Sequence, residues 1–194
     1  PRSVTTFYEL DDAQMAAYEN AFRAAIEDEI AAFEPDVIHC GHIWVQASYV
    51  ADYGIPLVIT AHGTDLIGFE KSARFRDQAK KAFDAASAVV TISKESTELV
   101  EKLFGNSEKV HFIQNGYDPQ IFYPEDCSVQ DMLDYFGIES DYERIISFAG
   151  KFAHFKGIDI LLNAAAPYER DGVATLLAGD GELFDEMTAL ARQL

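Results

Sequence analysis

Cysteine is nearly absent: Cys40 and Cys127 are the two in 194 residues. That count excludes a disulfide framework and a cysteine-built metal site, and sets the expectation of reduced thiols in a cytoplasmic setting. No stretch approaches the ~20 consecutive apolar residues of a membrane span, and no basic-then-apolar start marks a secretory signal. The first residue is Pro1, not Met, so the natural N-terminus is expected to lie outside this sequence. The five histidines include no H-E-x-x-H pair, which leaves the expectation for a metal at none. Cations are scarce as well. Against 33 Asp and Glu stand 15 Lys and Arg, a formal net charge of −18. A field of that sign repels phosphate backbones and anionic lipid, so neither a nucleic-acid partner nor membrane association is expected of this segment.

What is present is a core. Hydrophobic residues make up 48% and charged residues 25%, the balance of a globular protein. From Asp11 to Phe33 apolar residues recur at three- and four-residue steps, which predicts a helix that Pro35 ends. Apolar runs at 36–39, 56–60, 88–92 and 109–113 then predict strands, with helices over about 42–53, 72–86 and 94–104 between them. Ser93 is read first as the cap of the third of these helices. Pro119, Pro124, Asp126 and Ser128 mark a connector holding one short helix near 132–136. Alternation restarts with strands at 145–149 and 173–177 and helices at about 158–166 and from 182 onward. Fully apolar strands separated by helices predict parallel sheets covered on both faces.

Ligands of open parallel sheets bind beyond the carboxyl ends of the strands, where helix N-termini also point. The residues there are His39 to Trp44, His62-Gly63-Thr64-Asp65, Ser93-Lys94, Asn115-Gly116-Tyr117-Asp118, Gly150-Lys151 with Lys156-Gly157, and Gly179-Asp180-Gly181. The loop from Gly150 to Gly157 puts two lysines and a glycine before a helix. Its N–H groups, the helix dipole and two ammonium groups could together hold a diphosphate, or it is a solvated loop with a glycine start to the helix. Neither a Walker loop nor G-x-G-x-x-G is present. Gly63 beside His62 permits close backbone approach, and Thr64 and Asp65 could read hydroxyls. Trp44 is most simply a packing residue.

Taken in order, D-V-I-H, P-L-V-I-T-A-H-G-T-D, A-V-V-T-I-S, K-V-H-F-I-Q-N-G-Y-D-P, F-A-G-K-F-A-H-F-K-G-I-D-I-L-L and L-L-A-G-D-G-E-L resemble the retaining GT-B glycosyltransferases of family 4. The resemblance implies an α/β chain of two Rossmann-like parallel-sheet domains facing across a cleft, both incomplete here. Residues 1–117 would form part of the N-terminal, acceptor-side domain, 118–143 the connector, and 144–194 the first part of the nucleotide-sugar-binding domain. It implies catalytic roles for His62, near the transferred sugar, and for Lys156 and Lys151, near the diphosphate. Lys151 stands where the family more often has arginine. Substrate-binding roles follow for Gly63, Thr64, Asp65, Ser93, Asn115, Asp118, Gly150, Gly157, Gly179, Asp180 and Gly181. The expected partners are a nucleotide-diphosphate sugar donor and an unassigned acceptor, with no cofactor and no metal. The family's N-terminal glycine-rich loop and its C-terminal glutamate pair are absent, so this segment alone is expected to be inactive. A non-catalytic nucleotide- or sugar-binding module, or a GT-B sugar-nucleotide epimerase, remains open on the same residues.

Overall fold

The structure, a computed structural model, describes residues 5–105, 108–169 and 171–194. The chain divides into two compact units, Pro1–Asp118 and Pro119–Leu194.

Unit 1 opens with helix α1 (Asp12–Phe33), started by a reciprocal cap. Asp11 Oδ1 accepts from Gln14 N–H at 2.8 Å while Gln14 Oε1 accepts from Asp11 N–H at 3.0 Å. The helix stops at Glu34, whose φ of 48° is left-handed, directly before Pro35. Four parallel strands follow in the order β1-β2-β3-β4: β1 (Ile38–Cys40), β2 (Leu57–Ala61), β3 (Ala88–Thr91) and β4 (Val110–Phe112). Ile38 pairs Leu57, Val58 pairs Ala88 and Val89 pairs Val110. Helices α2 (Val45–Val50), α3 (Thr64–Lys71), α4 (Arg76–Ala85) and α5 (Lys94–Phe104) join them. Ile43, Val45, Ile59, Leu66 and Val89 are fully shielded from water. Each such side chain contributes about 1.5–3 kcal/mol of transfer free energy.

Unit 2 has a two-stranded parallel sheet, β5 (Arg144–Ala149) beside β6 (Val173–Ala178), in continuous register from Arg144↔Val173 to Ala149↔Ala178. Helices α6 (Val129–Tyr135), α7 (Ile158–Glu169) and α8 (Phe184–Ala191) accompany it. Its core is small: Phe152, Ile158, Leu162, Leu183 and Met187.

Several sequence expectations need correction. The first strand begins at Ile38, two residues late, because Asp36 and Val37 stay outside the ladder. The residues after β2, expected as a loop, enter helix α3 at Thr64, and the helix expected over 72–86 starts only at Arg76. A glycine at the cap position and another inside α3, Gly68, hid that helix from propensity. Helix α7 continues to Glu169, three residues past the expected end, with Pro167, which has no backbone N–H to donate, inside its last turn.

Candidate functional site

The turn from β2 into α3 is held from below. Gly63, at φ 95°, takes a backbone conformation that side-chain-bearing residues rarely adopt. Asp65 is 4% exposed and lies in the first turn of α3. Its Oδ1 accepts from Gly63 N–H at 2.9 Å and its Oδ2 accepts from Ile43 N–H at 2.8 Å. One buried carboxylate thus ties the turn after β2 to the turn after β1. Asp65, expected to read substrate hydroxyls, is instead spent on two backbone donors. The helix N-terminus adds a favourable dipole for that carboxylate.

What the tie presents is a cluster of exposed polar groups. The rings of His42 and His62 lie 5.3 Å apart between centroids. Thr64 Oγ1 is 3.3 Å from His42 Nε2. A side chain at Gly41 would come within 4.0 Å of His62 Nε2. His62 was singled out in the sequence and His42 was not; its signal was its place just after β1, on the strand next to the one His62 follows. Behind them His39 Nε2 pairs with Thr60 Oγ1 at 2.8 Å, so that histidine links two strands.

Two pockets flank this turn within unit 1. One, of about 560 Å3, is lined by His42, Thr64 and Asp65 together with Tyr8, Trp44 and Gln46, among others. Two of its lining side chains pack close to Gly68 in α3: a Cβ there would meet Tyr8 Oη at 2.8 Å and the Trp44 ring at 3.1 Å. The other, of about 310 Å3, lies between His62, Gly63 and the start of α5 at Ser93. Ser93 is the helix cap, its Oγ accepting from Ser96 N–H at 3.1 Å. That occupation accounts for its side chain without a ligand. Asn115 and Asp118 follow β4 and are exposed.

In unit 2 the turns after β5 and β6 are zipped together by their backbones. Gly150 N–H donates to the Ala178 carbonyl and Phe152 N–H to the Asp180 carbonyl, both at 2.9 Å. Leu183 N–H returns to the Phe152 carbonyl at 3.2 Å. A Cβ on Gly179 would overlap the Gly150 carbonyl oxygen, and one on Gly181 would overlap that of Phe152. These glycines are therefore required by close backbone packing, a reason the sequence reading of a pocket-lining turn did not contain. Asp180 Oδ1 accepts from Gly181 N–H at 2.7 Å.

The expected anion cradle needs a related correction. Lys156 N–H donates to Ala153 and Gly157 N–H to His154, so the N–H groups of Gly150, Phe152, Lys156 and Gly157 are all committed within the fold. Beyond these four the loop presents the side-chain ammonium groups of Lys151 and Lys156, both exposed, and the opening turn of α7. Gly157 enters α7 at φ 63°, and Lys156 Nζ sits 5.5 Å from the Phe155 ring centroid.

Among the described residues no group of three or more His, Cys, Asp or Glu is placed to hold a metal ion. None of their helices is long and apolar enough to cross a membrane. Burial pushes the Cys40 thiol above its usual range, away from nucleophilic thiolate.

Parallel sheets flanked by helices in two units, with polar residues gathered at the carboxyl ends of the strands, define a GT-B-type α/β protein. The Glycosyltransferase Family 4 model matches residues 7–121, more than half of the chain, and the chain belongs to that family. The alpha-maltose-1-phosphate synthase of Mycolicibacterium smegmatis is 26% identical over 178 residues, which is 81% of this chain and 45% of that protein. The D-inositol 3-phosphate glycosyltransferase of Mycobacteroides abscessus is 28% identical over 203 residues, 95% of this chain and 44% of that protein. The chain thus spans about half the length of the curated relatives it matches. Among solved structures, Anabaena Alr3699/HepE in complex with UDP-glucose superposes with a TM-score of 0.65 at 20% identity, over 89% of this chain and 48% of that one. That likeness is one of fold.

Proposed function

We propose that this chain is part of a glycosyltransferase that moves a sugar from a nucleotide-diphosphate donor to an acceptor hydroxyl with retention of anomeric configuration. The observation that carries the reading is the His42–His62–Thr64 cluster, held on a buried carboxylate tie at the strand ends of a family 4 chain. In the transfer, the bond from the anomeric carbon to the diphosphate breaks and the electron pair leaves with the nucleoside diphosphate. The acceptor oxygen bonds that carbon and gives up its proton, which neutralises part of the departing charge. His62 meets the transferred sugar, and Thr64 and His42 extend its polar surface. Lys151 and Lys156 stabilise the charge that builds on the leaving group. Gly150, Gly157, Gly179, Asp180 and Gly181 shape the turns that carry the lysines. Asn115, Asp118 and Ser93 belong to the loops on the acceptor side.

The UDP-glucose complex of Anabaena Alr3699/HepE supports a nucleotide-sugar donor. The relatives' names do not agree on an acceptor. The reaction needs no metal in this reading, and the free thiols Cys40 and Cys127 support a reducing, cytoplasmic setting. Spanning about half the length of those relatives, the 194 residues by themselves are expected to bind donor weakly and to turn over poorly.

The test is a thermal-shift screen of UDP-, GDP- and ADP-sugars, repeated on Lys156→Ala and on His62→Ala. One donor class should raise the melting temperature, and Lys156→Ala should remove most of that rise. A rise that survives Lys156→Ala unchanged overturns the donor assignment.

A further inference from the structure

We infer that residues 6–10 form a hinged strap, latched by Arg74, that closes one side of the larger pocket of unit 1 and lifts to uncover Trp44.

The strap is a preformed body. Phe7–Glu9 make a single 3-10 turn. Glu9 N–H donates to the Thr6 carbonyl at 3.0 Å, and the Glu9 carboxylate accepts from the Thr6 N–H at 2.6 Å and from its hydroxyl at 3.0 Å. Four residues thus keep their shape by bonds among themselves. Beyond them Leu10 is extended, at φ −76° and ψ 132°, and Asp11 caps α1. Leu10 is therefore the joint, since the turn before it and the helix after it each close their own hydrogen bonds.

The strap also makes a wall. Thr6, Phe7 and Tyr8 line the pocket of about 560 Å3 from the strap, while His42, Trp44 and Thr64 line it from the turns after β1 and β2. Tyr8 Oη and the Trp44 ring crowd the same spot over Gly68. With Tyr8 44% exposed and Trp44 8%, Tyr8 is the outer ring and Trp44 the inner one.

Apolar and charged contacts share the work of holding the wall down. The Phe7 ring meets Tyr18 edge-on at 5.2 Å between centroids, and Phe7 and Tyr8 each meet Phe75 at 6.3 Å. Lys71 Nζ lies over the Tyr8 ring, 5.6 Å from its centroid. Arg74 spans the joint: Nη1 donates to the Leu10 carbonyl and Nη2 to Asp12 Oδ1 at 2.6 Å. The Asp12 side chain is fully exposed, so water and salt compete for that grip. Phe7 and Leu10, the strap's apolar anchors, are half-buried, whereas Leu66 and Phe75 in the core are sealed. The strap can therefore lift while the core stays closed, as a gating element must.

Acrylamide quenching of Trp44 fluorescence in the 194-residue chain tests this, because the chain has a single tryptophan. Acrylamide is small and uncharged, so salt acts on the strap and not on the quencher. In the unmodified chain quenching should rise from low salt to about 1 M, where the Debye length falls to about 3 Å. Arg74→Gln should raise quenching at low salt by about 2–5-fold, the reach of an exposed charge pair, and remove most of the salt response. Asp12→Asn should give a smaller rise of the same kind. Tyr8→Ala takes away the cover itself and should give high quenching at every salt concentration. The salt series and Asp12→Asn, an exposed change, decide the matter even where Arg74→Gln disturbs packing over Phe75. Quenching indifferent to salt, or unaltered by Asp12→Asn, overturns the latch. Quenching unaltered by Tyr8→Ala overturns the wall, and with either the inference falls. No donor or acceptor is needed, so the outcome is independent of the transferase reading.

Discussion

The two units reach order by different routes. Unit 1 buries eighteen apolar residues around four parallel strands, and its two middle strands are almost wholly enclosed. Among the described residues unit 2 buries eight, five of them in one cluster beside its two strands, and β5 leaves four of its six residues exposed. A two-stranded sheet with so small a core is marginal unless something else fixes it. In unit 2 that something is backbone fit, the glycine turns after β6 lying against the turn after β5. Unit 1 shows the converse: its core is secure, and the one buried carboxylate among its described residues, Asp65, serves the site. In unit 1, then, burial makes the fold and a buried charge shapes the site. In unit 2 the same turns do both.

The largest effect should come from attacking unit 2 at its backbone contact. Gly179→Ala forces a methyl group into the Gly150 carbonyl oxygen, so the ends of β5 and β6 must separate. We expect a loss of about 4 kcal/mol or more, the range of severe local clashes. In a two-dimensional amide spectrum the signals of unit 2 should collapse while those of unit 1 hold. A Gly179→Ala protein with intact unit 2 signals would break the comparison at its root. Next in size is Asp65→Ala, which strands the Ile43 and Gly63 N–H groups in a buried setting. Its expected cost is about 3 kcal/mol in urea unfolding, with the His42 and His62 ring signals displaced. Here unit 2 should be untouched.

These two sites also mark what could be read from the chain itself. Strand–helix alternation was legible because runs such as Leu57 to Ala61 and Ala88 to Thr91 are apolar throughout, and the cap at Ser93 follows from its chemistry. Helix α3 was not, since Gly63 starts it and Gly68 interrupts it, and both look like loop. Gly68 has its reason only in space, where Tyr8 and Trp44 press on it. His62 stood out by following a strand. His42 pairs with it across twenty residues of sequence, and Asp65 finds Ile43 across twenty-two, distances at which no local pattern speaks. The glycines at 179 and 181 read correctly as a turn, but the need for them comes from a neighbouring backbone. Long-range approach is what composition and periodicity do not encode.

A smaller change sharpens the account of unit 1. Ser93→Ala removes the acceptor for Ser96 N–H at the start of α5. The expected loss is about 1 kcal/mol, read as a lower urea midpoint. If Ser93 serves as a cap alone, donor and sugar binding should otherwise be unchanged once that loss is allowed for.

The smallest expected effect tests whether surface charge contributes to unit 1 at all. Asp52, at the turn after α2, accepts from Lys81 Nζ at 2.6 Å and Arg23 Nη2 at 2.9 Å, and Arg23 also reaches Glu19 at 2.8 Å. This network joins α1, the end of α2 and α4. The Lys81 hydrogen bond, seconded by that from Arg23, holds the Asp52 carboxyl below its usual range. A folded-state value below the unfolded one means that the ionised form is favoured by folding. The stabilisation is therefore fully present above the unfolded value of about 3.9 and is lost as the pH falls through the lower folded value. With 40% of the Asp52 side chain exposed, solvent screening limits the contribution to about 0.5 kcal/mol. Asp52→Asn should accordingly lower the stability of unit 1 by that amount at pH 6 in low salt. The gap to the unmodified protein should close below pH 4 or in high salt. A gap that persists at pH 3 would place the effect of Asp52 in packing, and unit 1 would owe its order to burial alone.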